Sequence, residues 1–398
     1  MSGMRFGQNN TPFSREEFAT RLAKTKRYMA AAGLDALYLS EPANLNYLTG
    51  YDGWSFYVHQ GVLVAQDLKH PVWIGRGQDV NGARLTTILP EEDIIGYSDD
   101  HVQSTTKHPL QAVARVIHER GMERATVGIE ADSFYFTAKS RDVLEAELPN
   151  ARFVDAGPLV NWVRVVKSDA EIGLMLQAAG IAERTIARAL EVIDAGVRQC
   201  DAAAEILATA TRGTQEHGGD YAAIAPLMPT GVGTSCPHLT WRDDPFEPDT
   251  GSTVEIAGVR HHYHVPLTRT LYLGTPPDRM RRAADVVVEG LESALAVAKP
   301  GAGSHDVHAA WTQAIERHGF VKDSRCGYSI GLGYPPDWGE RTISLRAFDE
   351  TVLEPNMTIH FMPGLWLDDW GIAISESIRI TERGAECFCN FPRSLFVK

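Results

Sequence analysis

Apolar residues recur at helical spacing across residues 14–33, and both end signals are present. Ser14 is placed to cap the first turn, Glu17 stands three residues on as in a capping box, and Gly33 follows the last periodic position. The period then changes. Short apolar runs at 36–39, 62–65 and 72–74, separated by Gly, Pro and charged turns, predict strands. Strands alternating with helical stretches continue through 127–129 to about residue 154, which predicts an α/β layer.

A second region opens near residue 156 with two long helical patterns, 169–195 and 199–217. Strand-like runs follow at 253–257, 267–273, 357–362 and 372–381. Between them lie helical patterns at 277–298 and 304–318, the latter with Ser304 as its cap and Gly319 as its stop. Helices combined with antiparallel-looking strands predict an α+β half, so two domains are expected, 1–158 and 159–398. The Pro- and Gly-rich stretch 226–251 is too apolar for a plain linker and reads as an ordered loop beside a site.

Composition narrows the function classes. A length of 398 residues exceeds one ordinary core, in line with two domains. The net charge of -13 argues against a nucleic-acid surface, because phosphates are held by clustered Lys and Arg. Cys200, Cys236, Cys326, Cys387 and Cys389 form no Cys-x-x-Cys pair, and reduced thiols in a cytoplasmic protein are expected. Residues 1–15 are polar without an apolar leader core, and no apolar run of about 18 residues occurs, so no membrane association is expected.

Several strings then agree with one another in order and spacing. They are Arg164-Val165-Val166-Lys167-Ser168-Asp169-Ala170-Glu171-Ile172, Leu267-Thr268-Arg269-Thr270, Gly331-Leu332-Gly333-Tyr334-Pro335-Pro336, Met362-Pro363-Gly364 and Ile380-Thr381-Glu382. Together they resemble the creatinase, aminopeptidase P and prolidase family. The resemblance implies an α+β pita-bread catalytic domain preceded by a smaller α/β creatinase-like N-terminal domain. Peptidases of that family hold two divalent metals with two Asp, one His and two Glu.

This chain departs from that ligand set. Aligned on Thr268-Arg269-Thr270, Glu255 stands at the first Asp position and Pro266 at the bridging second. Tyr328 replaces the His, Met362 replaces the next Glu, and Ser375 takes the last, with Glu376 one residue beyond. Such a set lacks the several fixed donors that offset dehydration of a divalent ion. Neither a metal nor another cofactor is expected. The string Arg260-His261-His262-Tyr263-His264 invites a metal reading, but along a strand His262 and His264 share one face and His261 takes the other.

Creatinase is the family's precedent for metal-free hydrolysis of an amidine-like C–N bond, and the resemblance assigns roles accordingly. His238 takes the place of its catalytic His as proton carrier, and Glu255 attacks the carbon or activates water. Glu376 is expected to hold the second amidine nitrogen by a charge-assisted bond. Tyr328, Tyr334, Trp338, His264 and His360 are expected to line the pocket. The aromatic segment 50–60 adds Trp54 and Tyr57, whose faces suit a compact cation and which, in creatinase-like homodimers, serve the partner's pocket. Arg76 is the candidate for a substrate carboxylate. The implied partner is a small cyclic amidine bearing a carboxylate. A creatinase-like amidinohydrolase, a non-catalytic peptide-binding module and a downstream deacetylase partner stay open.

Overall fold

The computed structural model describes residues 11–398; the polar stretch 1–10, part of the region read as lacking a leader, lies outside the described residues. Contacts divide the chain after Arg164, giving units Met1–Arg164 and Val165–Lys398. The division follows the short helix Leu159–Val163 rather than preceding it. The Lys24 side chain of the opening helix bonds the Val163 carbonyl and ties that helix to the first unit.

The opening helix runs Arg15–Ala31 and begins where expected, with the Ser14 hydroxyl accepting from the Glu17 N–H at 3.2 Å. Glu17 does not return to the cap; its carboxylate bonds Arg21 one turn on. Six strands form the first unit's mixed sheet: β1 (Ala36–Leu39), β2 (Gly61–Ala65), β3 (Val72–Arg76), β4 (Ile94–Tyr97), β5 (Thr126–Ile129) and β6 (Arg152–Asp155). Their order is β4-β3-β2-β1-β5-β6, antiparallel along β1–β2–β3 and parallel at the other joints. The helix Pro109–Glu119 buries Leu110, Val113, Val116 and Ile117 in the core that also holds Leu63 and Ile129. Each such side chain contributes about 1.5–3 kcal/mol through burial.

The second unit is built on two long strands, β7 (Thr250–Arg260) and β8 (Tyr263–Leu273), buried along nearly their whole length. They pair in full register, with Glu255 opposite Thr268 and Ala257 opposite Pro266. His261 and His262 make the connecting turn, both with positive φ of 47° and 62°, so they are turn residues and not members of an alternating strand. The helix Asp169–Val192 packs directly on β7. Gly258 permits this, since a Cβ there would lie 2.0 Å from the Ala178 carbonyl oxygen.

The sheet continues with β9 (Gly327–Tyr334), β10 (Asp337–Ser344), β11 (Thr358–Phe361), β14 (Glu376–Thr381), β15 (Gly384–Cys387) and β16 (Phe396–Val397), while β12 (Gly364–Trp366) and β13 (Gly371–Ala373) form a separate hairpin. The stretch expected as one strand over 372–381 is thus broken at Ile374 and Ser375. Their N–H groups leave the ladder to bond the Pro363 and Thr268 carbonyls. Helices Gln199–Arg212, Asp278–Val297 and Ser304–Glu316 complete the unit. Ser304 is the first residue inside its helix, behind Gly303 as cap, and its hydroxyl bonds Asp349.

Candidate active site

Glu255 sits at the middle of β7, where the pleat turns it to the same side as Thr268 across the ladder. It is buried, and burial pushes its carboxyl up to about 7. The Thr268 hydroxyl partly offsets this, although that hydroxyl completes no regular hydrogen bond. A carboxyl poised at this value suits acid–base work at neutral pH, and a bound cation would return it to the ionised form.

Tyr328 and His360 face each other across β9 and β11 and form a T-shaped pair with ring centres 5.4 Å apart. The Tyr328 hydroxyl accepts from the Trp338 indole N–H at 2.8 Å and lies 3.0 Å from His360 Nδ1. On its other side His360 Nε2 is 2.8 Å from the Ser375 hydroxyl, which accepts from the Thr268 backbone N–H, also at 2.8 Å. Burial, then the nearby Arg325 charge, lowers His360 to about 3, so the ring is neutral. Burial, then the Glu255 charge, raises the Tyr328 hydroxyl far above its ordinary value. The line Trp338–Tyr328–His360–Ser375 is therefore a chain of neutral groups beside one acid. Either imidazole tautomer satisfies it.

The positions that the resemblance aligns with the family's metal ligands carry Glu255, Pro266, Tyr328, Met362 and Ser375. Glu376 does not slip in to help. Ser375 points into the cluster, and its neighbour turns away into a buried ion pair, 2.8 Å from Arg269 and 3.2 Å from Arg393. Among the described residues no group of three or more His, Cys, Asp or Glu is arranged to hold a metal. One carboxyl, a phenol, a thioether, a hydroxyl and a proline do not fit a dinuclear centre.

Several expected pocket residues have other duties. Glu376, expected on an amidine nitrogen, is held by Arg269, whose guanidinium also bonds the Ser375 and Phe391 carbonyls. His264 uses both ring nitrogens internally, accepting from the Ala223 N–H at 2.9 Å and donating to the His262 carbonyl at 2.7 Å. Tyr334 is buried and stacked on His262, and Trp338 reaches the cluster only through Tyr328. His238 is exposed and has no hydrogen-bond partner among the described residues. Its segment nonetheless runs beside the Glu255 strand, since the Leu239 carbonyl accepts from the Met228 N–H and Leu227 pairs with Glu255.

In the first unit, Trp54 and Tyr57 flank a short turn with 56% and 69% of their surface exposed, too much for core packing. Arg76 is engaged by Asp99, at 2.6 Å through Nε. Two members of the cluster were given no role by sequence reading. Ser375 entered only as a residue unable to bind a metal, and the break that aims its hydroxyl inward depends on carbonyls distant in sequence. Arg325 carried no motif at all, yet its guanidinium lies 4.4 Å from the centre of the Tyr328 ring.

A two-unit chain with this β7–β8 platform and this ligand face defines a hydrolase of the pita-bread class: the chain belongs to metallopeptidase family M24, which it matches over residues 173–382, with a creatinase/prolidase N-terminal domain over 21–166. At the level of individual proteins, it is 48% identical to ectoine hydrolase of Halomonas elongata, covering 98% of this chain and 100% of that one. It is 43% identical to an uncharacterized hydrolase/peptidase of Sinorhizobium fredii, covering 97% and 98%. The Xaa-Pro dipeptidase structure from Bacillus anthracis superimposes with a TM-score of 0.80 at 21% identity, covering 96% of this chain and 100% of that one, and so shares the fold.

Proposed function

We propose that this chain opens the cyclic amidine ring of ectoine, and of hydroxyectoine, to N-acetyl-L-2,4-diaminobutyrate without a metal. The observation carrying the reading is Glu255, a carboxyl buried at the middle of β7 and raised to about 7. The name of the Halomonas elongata relative points to the same substrate.

Water adds to the amidinium carbon, the bond from that carbon to one ring nitrogen breaks, and the departing nitrogen takes a proton to leave as an amine. Glu255 opposes the cation and either removes the proton of the attacking water or first forms the C–O bond itself, in which case water then cleaves the ester to release the product and return the carboxylate. His238 carries the proton to the leaving nitrogen. Neutral His360, bonded to both Tyr328 and Ser375, fixes the positions of the two hydroxyls in the cluster beside Glu255. The proposal includes a cytoplasmic homodimer in which Trp54 and Tyr57 of one protomer serve the partner's Glu255; five free cysteines fit a reducing compartment. A deacetylase acting on the product follows from the product's acetamide.

The test is mass spectrometry of ectoine incubated with chelator-dialysed protein. Ring opening at the rate of untreated protein is expected. Urea release from creatine in place of ring opening would indicate an amidinohydrolase, and unchanged ectoine with saturable peptide binding a non-catalytic module. A requirement for stoichiometric Mn, Co or Zn would overturn the metal-free mechanism.

A further inference from the structure

Arg325 lies in the segment that leads into β9, half-buried, with its guanidinium carbon 4.4 Å from the centre of the Tyr328 ring. Acids outnumber Lys and Arg in this chain by 51 to 38, yet Arg325 has no carboxylate within ion-pair distance and makes no hydrogen bond among the described residues. Asp337 is near enough to act on it electrostatically, but one Asp337 oxygen accepts from the Gly339 N–H at 2.8 Å. The neighbouring arginines differ. Arg269 bonds Glu376 and Arg346 bonds Ser344.

A half-buried guanidinium with five N–H donors and no acceptor is costly unless a ligand supplies one. Burial lowers its pKa, which is the mark of a cation short of counter-charge. The Tyr328 ring covers one side of the guanidinium, and the N–H fork of such a group matches a planar carboxylate. Its field also reaches the cluster, because it disfavours protonation of His360. The Tyr328 hydroxyl feels both charges, so the acid Glu255 and the cation Arg325 act on the same phenol.

We propose that Arg325 is the anion subsite of this pocket and holds the substrate's carboxylate by a bidentate pair while Glu255 faces the amidinium; the assignment rests on the hydrolase reading above. It replaces Arg76, whose guanidinium is already engaged by Asp99. Arg325 is a binding and specificity residue, and no bond is made or broken at it.

The test compares kcat/KM for ectoine and for 2-methyl-1,4,5,6-tetrahydropyrimidine, the same ring without its carboxylate, in wild-type protein, Arg325→Met and Arg325→Lys. Met keeps the packing on Tyr328 and Lys keeps the charge. Wild type should strongly prefer ectoine. In Arg325→Met that preference should fall by roughly a hundredfold or more, chiefly through KM, as for truncating one partner of a buried charge pair. Turnover of the carboxylate-free ring should fall far less than that of ectoine, because it loses only the Arg325 charge beside the cluster and no bound partner, and Arg325→Lys should recover part of the preference. If Met lowers both substrates equally, or leaves the preference intact, the assignment falls while ectoine hydrolysis stands. If wild type turns over neither ring, the functional reading falls and takes the assignment with it. Should Arg325→Met fail to fold, the Lys variant decides: a preference identical to wild type and insensitive to fork geometry would overturn the bidentate pair.

Discussion

At the scale of residues, Glu255 shows how one side chain is set against stability. A carboxyl held at about 7 keeps its proton in the fold over a pH range where the unfolded chain has already released it. Stability contributed by that proton is therefore lost as pH rises from the unfolded value near 4.5 through 7. Glu255→Gln removes the penalty, which amounts to about 3 kcal/mol above pH 8 and little at pH 5. Thermal melts at the two pH values should show a gain of several degrees for the variant at pH 8 only, alongside a loss of turnover of roughly 10³-fold or more. Equal melting temperatures at pH 8 would mean the carboxyl is not desolvated. In the wild type, kcat/KM should climb with pH to a plateau above about 7, because the ionised form meets the cation. The bound amidinium lowers the same pKa, so the limb in kcat should lie at lower pH. A profile flat from pH 5 to 9 would remove Glu255 from the centre of the reaction.

Elements decide which side chains can reach Glu255. The break between β13 and β14 turns the Ser375 hydroxyl toward Thr268 and His360 and, one residue later, sends Glu376 to the opposite face. Ser375→Ala leaves the Thr268 N–H and one His360 nitrogen without their partner, at a cost of about 1–3 kcal/mol for each buried group. Urea unfolding should show that loss, and turnover should fall with it while Ser375→Thr retains both; unchanged stability in the Ala variant would mean water takes the hydroxyl's place. Much of this scale was legible in the residues. The helix start at Ser14 follows from a local hydrogen bond to the third residue on, and the middles of β7 and β8 follow from the strand-like runs 253–257 and 267–273, although both strands extend to the turn at His261 and His262. What escaped depends on three dimensions. The 372–381 stretch carries strand-like Ile residues with polar residues among them, and the place where it breaks is set by two carbonyls distant in sequence. His261 and His262 adopt left-handed turn geometry that Gly or Asn would have signalled. His264 and Glu376 are polar residues in a buried context, and whether such a group serves substrate or structure depends on partners distant in sequence.

For the molecule as a whole, the exposed aromatic pair of the first unit and the acid cluster of the second pose a question of assembly. Trp54 and Tyr57 are costly to leave in water, and in the proposed homodimer they cover the cation of a substrate lying against the other protomer's Glu255. That arrangement has a consequence a monomeric site lacks. Trp54→Ala and Glu255→Gln should each be nearly inactive as purified homodimers, the first through KM and the second through kcat. Mixed under exchange conditions, half the dimers become heterodimers, and each pairs one intact Glu255 with one intact Trp54. Activity should then recover to about one quarter of wild type, the fraction of sites free of both substitutions when protomers mix at random in a two-fold dimer. Sedimentation velocity establishes the dimer, and the kinetics of the mixture decide the architecture. No recovery from a demonstrated heterodimer would place each Trp54 with its own protomer's Glu255, or outside the site altogether.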